Sequence, residues 1–171
     1  MRNTLLALVI GCALSAFMLA EAVAAEQPYY AGLALGQATD DELDESDIAW
    51  RLFGGYQFTE TWGVEAAYVS FGEPEVGDIS IDYGGFGLYA TGRWPVDERF
   101  DVFAKLGYFF WEVEAEFMGI EASDDGADLT IGVGGSMQLR ENVRAEAMYE
   151  RYLGISNSDV GMISIGIAYQ F

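Results

Sequence analysis

From residue 29 onward, apolar positions alternate with small or polar ones in short segments separated by turn-forming or acidic stretches. In the last eleven residues, Ile163, Ile165, Ile167, Tyr169 and Phe171 share one parity, and Met162, Ser164, Gly166, Ala168 and Gln170 share the other. A period of two belongs to a strand with two unlike faces. A tilted strand needs about 9–11 residues to cross a bilayer, so this one is long enough.

The same alternation predicts strands over 29–38, 48–58, 62–71, about 81–94, 100–111, 129–139 and 143–152. With 161–171 they number eight, and the connections between them run long, short, long, short, long, short, long. That rhythm is the one expected of an up-and-down barrel with extended loops at one end and tight turns at the other. Short echoes between hairpins, such as Gly55-Tyr56-Gln57-Phe58 and Ala168-Tyr169-Gln170-Phe171, fit one repeated structural unit. No sustained helical period follows residue 25. The expected fold is all-β: an eight-stranded antiparallel up-and-down transmembrane β-barrel.

A soluble carrier of the lipocalin kind also alternates, so the content of each face has to decide. The polar face is mostly Gly, Ala, Ser, Thr and Gln with few charges per strand, whereas the outside of a soluble barrel is dense in Lys and Glu. Small residues suit the interior of an eight-stranded barrel, which side chains just fill. Rings on the apolar parity collect at both expected rims: Phe58, Trp62, Trp94, Phe100, Tyr169 and Phe171 near the short turns, and Trp50, Tyr68, Phe86, Phe110 and Tyr149 near the long loops. Aromatic girdles of that kind bound a lipid-facing band.

Residues 1–25 stand apart from this pattern. Arg2, an apolar run from Leu5 to Leu19 and the small residues Ala22-Val23-Ala24-Ala25 read as a secretory signal peptide cleaved after Ala24 or Ala25, leaving 26–171 as one barrel domain. A rival reading, lipoprotein processing at Val9-Ile10-Gly11-Cys12, would leave too short an apolar run before the cut. Cys12 is the only cysteine, so the mature domain would have neither disulfide nor thiol chemistry.

The chain carries 28 acids against 8 bases, a formal charge of -20, which argues against a nucleic-acid partner. It has no His, and with no Cys after residue 12 the usual nucleophilic triads and zinc sites lack their parts. The expectation is therefore no enzyme, no cofactor and no metal. On the inward parity lie Arg51, Glu65, Arg93, Lys105, Arg144, Glu146 and Glu150, with Asp82 at the rim. Buried charges are tolerable only when paired, so these are expected to form a lumen network that fixes register.

The signal peptide, the eight alternating strands, Lys105-Leu106-Gly107 in the fifth of them and the terminal Tyr169-Gln170-Phe171 together resemble the small outer-membrane β-barrel family typified by the OmpA membrane domain and OmpX. The resemblance implies residence in the outer membrane of a Gram-negative bacterium, with the long loops extracellular and both termini periplasmic. It implies that Tyr169 and Phe171 are read by the barrel-assembly machinery, that periplasmic chaperones escort the chain, and that the barrel stands as a monomer among lipids and lipopolysaccharide. In that family interior ion pairs can rearrange to admit ions, so a small low-conductance pore is the alternative to a structural or surface-interaction barrel. The chain shows no peptidoglycan-binding domain after its last strand, and cell-wall anchoring is not carried over.

The acidic connections are the remaining signal. Asp40, Asp41, Glu42, Asp44, Glu45 and Asp47 crowd the first long loop, and 112–128 is equally free of Lys and Arg. Such stretches are expected to be solvated loops. Clustered carboxylates also suit weak binding of hard divalent cations, directly or as bridges to lipopolysaccharide phosphates, although the spacing is not that of an EF-hand.

Overall fold

The computed structural model describes residues 28–40, 46–71, 75–76, 79–117, 120–155 and 158–171. The signal peptide proposed for 1–25 lies outside them. Eight strands make the wall: β1 (Tyr29–Asp40), β2 (Ser46–Gln57), β3 (Trp62–Ser70), β4 (Ile79–Pro95), β5 (Phe100–Phe117), β6 (Ile120–Arg140), β7 (Val143–Ile155) and β8 (Ser158–Gln170). Each pairs antiparallel with its sequence neighbour, and β1 pairs with β8 from Tyr30↔Gln170 to Asp40↔Val160, which closes the ring. A two-residue piece, Glu75–Val76, pairs with the start of β4.

Closure leaves no raw strand edge around the ring, the condition for standing in hydrocarbon. The alternation is inside out relative to a soluble protein. Met162 is fully buried while Ile163 beside it is 65% exposed, and the same contrast recurs in every strand of the ring. A lipocalin-like carrier is excluded by this polarity, since its apolar face would line the interior. Outward rings link up across strands, Tyr68↔Phe86 and Phe86↔Phe110 at the long-hairpin end and Trp62 edge-on to Trp94 at the other. Phe58, placed by parity in the lower girdle, is instead half-buried just past the end of β2.

The three tight turns each have a polar clasp. Thr59 Oγ1 accepts from the backbone N–H of Thr61 and Trp62, at 3.2 and 2.8 Å, and Asp97 Oδ1 accepts from Arg99 and Phe100, at 2.8 and 2.9 Å. Asn142 Nδ2 donates to the Gln170 carbonyl at 3.0 Å, tying the third turn to the last strand. Short side chains that bond their own backbone favour turns over further strand.

The long connections differ from the expectation. β5 runs to Phe117 and β6 starts at Ile120, paired throughout from Phe117↔Ile120, so 112–117 and 120–128 are the paired arms of a hairpin rather than an irregular loop. Likewise β7 continues to Ile155 and β8 starts at Ser158. Acidic side chains forbid burial, but they do not forbid backbone pairing where both faces of a ribbon meet water.

Inside, large side chains are matched to glycines. Tyr30 faces Gly55, Phe53 faces Gly32, Tyr89 faces Gly107, Phe109 faces Gly87 and Phe103 faces Gly134 across adjacent strands. A Cβ on Gly134 would stand 2.6 Å from Phe103 Cζ, and one on Gly55 would strike the Tyr30 ring. The narrow lumen has little room for two bulky groups at one level, so rings lie over bare backbone, Phe53 on Gly32, Tyr89 on Gly87 and Phe109 on Gly85. The inward face is therefore less uniformly small than its composition implies.

Candidate functional site: the charged lumen

Two layers of charge cross the barrel, each carried up from the inward parity of several strands. In the middle layer Arg51 of β2 donates through Nη1 to Glu65 Oε1 and Glu150 Oε2, both at 3.4 Å. Lys105 Nζ lies 3.1 Å from Glu65 Oε1 and 2.7 Å from Glu150 Oε1. All four side chains are at most 7% exposed. Tyr30 donates its hydroxyl to the second Glu65 oxygen at 3.0 Å, while Arg51 covers the Phe53 ring and Lys105 the Tyr89 ring, each 4.3 Å from the centroid.

The second layer sits nearer the tight turns. Arg93 of β4 donates to Asp101 Oδ2 at 3.4 Å, to Glu146 Oε1 at 3.2 Å and to the Ser136 hydroxyl. Arg144 donates through Nε to the same Glu146 oxygen at 2.9 Å, with its guanidinium 5.0 Å above the Tyr30 ring. Tyr30 thus joins the layers, hydroxyl up and ring down.

Each layer balances: Arg51 and Lys105 against Glu65 and Glu150, then Arg93 and Arg144 against Asp101 and Glu146. Parity gave four bases and three acids, with Asp82 as a candidate fourth. The fourth acid is Asp101, whose parity with Phe103 and Lys105 could have marked it; the Asp82 side chain lies outside the described residues. Tyr30, Tyr89, Tyr152 and Ser136 were also legible as inward by parity, but nothing in the sequence tied them to particular charges.

Toward the long hairpins the lumen turns aromatic. Phe71, Phe109 and Tyr152 meet edge to face with centroids 4.9 to 5.6 Å apart, and Val69, Val160 and Met162 are buried in the same core. Beyond them Trp111 Nε1 donates to Asp128 Oδ2 at 2.6 Å. With its carboxylates committed to bases and a ring cluster above, the arrangement is suited to holding strands in register.

Of the acidic loop, Asp47 pairs opposite Ala38 in the ladder and Asp40 ends β1, while Asp41, Glu42, Asp44 and Glu45 lie outside the described residues. No group of three or more potential metal ligands occurs among the described residues. Tyr169 and Phe171 are outward and exposed, their rings stacked with centroids 6.2 Å apart, and Phe171 also stacks on Tyr29 at 6.1 Å.

Residues 5–171 match the family described as outer membrane protein beta-barrel domain. Outer membrane protein A of Salmonella typhi is 25% identical over 96% of the chain, and that match takes in 55% of the relative, so the chain spans about half the length of such relatives. Among solved structures, Neisserial surface protein A aligns with a TM-score of 0.71 at 15% identity, over 88% of this chain and all of that one. The attachment invasion locus protein Ail of Yersinia pestis aligns with a TM-score of 0.63 at 21% identity, over 85% of this chain and 97% of that one, and it has also been solved with the heparin analogue sucrose octasulfate. At those identities the structural likeness speaks for the fold.

Proposed function

This chain belongs to the outer membrane protein β-barrel family, and from that membership we propose a closed, structural lumen and an acidic outer end that acts as an interaction surface. The observation that carries the reading is the balanced double layer of buried charge beneath the ring cluster of Phe71, Phe109 and Tyr152. Paired and capped in this way, Arg51, Glu65, Arg93, Lys105, Arg144, Glu146 and Glu150 brace the wall and leave no continuous aqueous path.

In the proposed orientation the long hairpins face outward and the termini lie at the periplasmic side. There Tyr169 and Phe171 serve as the recognition feature for the barrel-assembly machinery, after escort by periplasmic chaperones and removal of 1–25. The barrel works without enzymatic activity, as a monomer among lipids and lipopolysaccharide.

The ligand class follows from charge. Stretches 40–47 and 112–128 are acid-rich and contain no Lys or Arg, so a polyanion of the kind bound by Ail meets repulsion here. A cationic peptide or a divalent cation is complementary, with Asp40, Asp41, Glu42, Asp44, Glu45 and Asp47 as the candidate loop.

Binding of a fluorescent oligolysine to the full barrel in nanodiscs tests the surface. Salt-sensitive binding that weakens when those six acids are replaced by Asn and Gln is expected. Equal binding of a sulfated oligosaccharide would overturn the assignment. Planar-bilayer recording on the same sample tests the lumen, where steady single-channel current from the unaltered chain would favour the pore instead.

A further inference from the structure

On the outer wall near the tight turns a groove of about 1010 Å3 opens in the apolar band. Leu35 and Ile165, cross-strand partners on β1 and β8, stand on one side of it, and Phe100 and Met137, partners on β5 and β6, stand on the other. Between them Gly135 of β6 and Ala147 of β7 face each other and leave the floor low. Inward glycines such as Gly55 and Gly134 lie beneath rings, but a Cβ on the outward Gly135 would meet nothing nearer than the Asp101 carbonyl oxygen, at 3.7 Å. Nothing of the barrel fills this hollow. Its volume is at the upper end of that of small-molecule sites, about 300–1,000 Å3.

The two tight turns that border the groove, between its lining residues Val96 and Phe100 and between Met137 and Ala145, carry charge of both signs. Arg51, Arg93, Lys105 and Arg144 are committed in the lumen and Arg151 pairs with Asp159. Arg99 and Arg140 are the described bases that enter no ion pair among the described residues, and both are exposed. Their turns are adjacent, since the Gln138 N–H, two residues before Arg140, donates to the Arg99 carbonyl at 2.8 Å, and Arg99 directly precedes Phe100 of the groove. Beside them in the same turns stand the exposed carboxylates Glu98 and Glu141, whereas the Asp97 carboxylate is taken up by the turn backbone.

We propose that the groove holds an acyl chain of a zwitterionic glycerophospholipid, its phosphate against Arg99 and Arg140 and its ammonium against Glu98 and Glu141. Apolar walls and floor match the chain, and a rim with two cations and two anions matches a headgroup carrying one phosphate and one amine. A purely anionic headgroup would meet Glu98, Glu141 and the acidic excess of the whole protein. The inference rests on the barrel standing in a bilayer with its tight turns at a phospholipid surface.

Native mass spectrometry of the full barrel in mild detergent, with phosphatidylethanolamine or phosphatidylglycerol added at equal concentration, tests it. One retained phosphatidylethanolamine is expected, preferred over phosphatidylglycerol. Ala147→Trp, which fills the floor, should abolish retention, and Arg99→Gln with Arg140→Gln should weaken it about tenfold, the equivalent of about 1.4 kcal/mol. Glu98→Gln with Glu141→Gln should erase the headgroup preference while retention continues. A gel with and without boiling shows which variants still close; if Ala147→Trp does not, Gly135→Val serves instead, because its Cβ has room.

Equal retention by the filled variant, or equal retention of phosphatidylglycerol by the unaltered barrel, overturns the proposal. A dimer that disappears on filling the floor would give the groove to a second copy of the chain and overturn it too. Loss of the boiling shift in the unaltered protein would instead strike at the membrane barrel itself.

Discussion

Lys105 Nζ stands 2.7 Å from Glu150 Oε1 although their strands, β5 and β7, are not neighbours. The pair reaches across β6 at Gly132, which lies directly opposite Lys105 on one side and Glu150 on the other. A Cβ there would sit 3.0 Å from the Cγ atoms of both residues. The missing side chain is what lets two strands two places apart share a charge pair.

Gly132→Val is therefore expected to wedge Lys105 and Glu150 apart and cost about 1–3 kcal/mol, the usual range for overpacking. Gly135→Val, three residues along the same strand but facing outward into open space, should be close to neutral. Urea unfolding in lipid vesicles, followed by tryptophan fluorescence, reads both, and equal midpoints for the two variants would show that the Gly132 gap is not needed.

Removing one member of the middle layer leaves a buried charge without its counterpart. Lys105→Met is expected to lose about 3–5 kcal/mol, whereas Lys105→Met combined with Glu150→Leu should recover much of that loss. A double variant as unstable as the single one would mean that the pair itself, rather than the orphaned carboxylate, supplies the stability. The cycle needs only the same unfolding midpoints.

Arg93 reaches Asp101, Glu146 and Ser136 at once through a planar fork. Arg93→Lys keeps the charge but cannot span all three partners, and a loss of about 1.5–3 kcal/mol is expected, as for one charged hydrogen bond. The boiling temperature needed to convert folded to unfolded bands on a gel gives the comparison. An unshifted conversion temperature would reduce Arg93 to a generic counter-ion.

Phe109 is wholly buried between Phe71 and Tyr152. Phe109→Ala should cost about 3–5 kcal/mol through the cavity left behind. It should also make the upper lumen accessible, so that a small thiol reagent entering from the long-hairpin side labels a cysteine placed at Met162. Labelling of the Met162→Cys protein without the Phe109 change would contradict the ring cluster as a cap.

Parity carried most of the fold, because a strand with lipid on one side and a packed lumen on the other repeats every second residue, and it gives out near strand ends, as at Phe58. Arg51, Lys105 and Glu150 were readable as inward for that reason alone. Which charge meets which was not, since partners such as Lys105 and Glu150 belong to strands two places apart and depend on stagger. Asp101 shares the inward parity of Phe103 and Lys105, but beside a turn an inward acid looks like any other turn acid. The ring-over-glycine pairs, Tyr30 on Gly55 or Phe103 on Gly134, needed the register before either residue had a meaning. Segment 112–128 was misjudged because acid content reports hydration, and a hydrated ribbon can still be paired.

Since β1 finds one of its two neighbours only in β8, the first strand of the ring waits on the last. A chain with seven strands in place would present two unpartnered ladders, and hydrocarbon offers them nothing. Contacts so distant in sequence also form slowly. Insertion is thus all or nothing: unfinished copies have no resting place in the membrane, and the geometry of the ring acts as its own quality control.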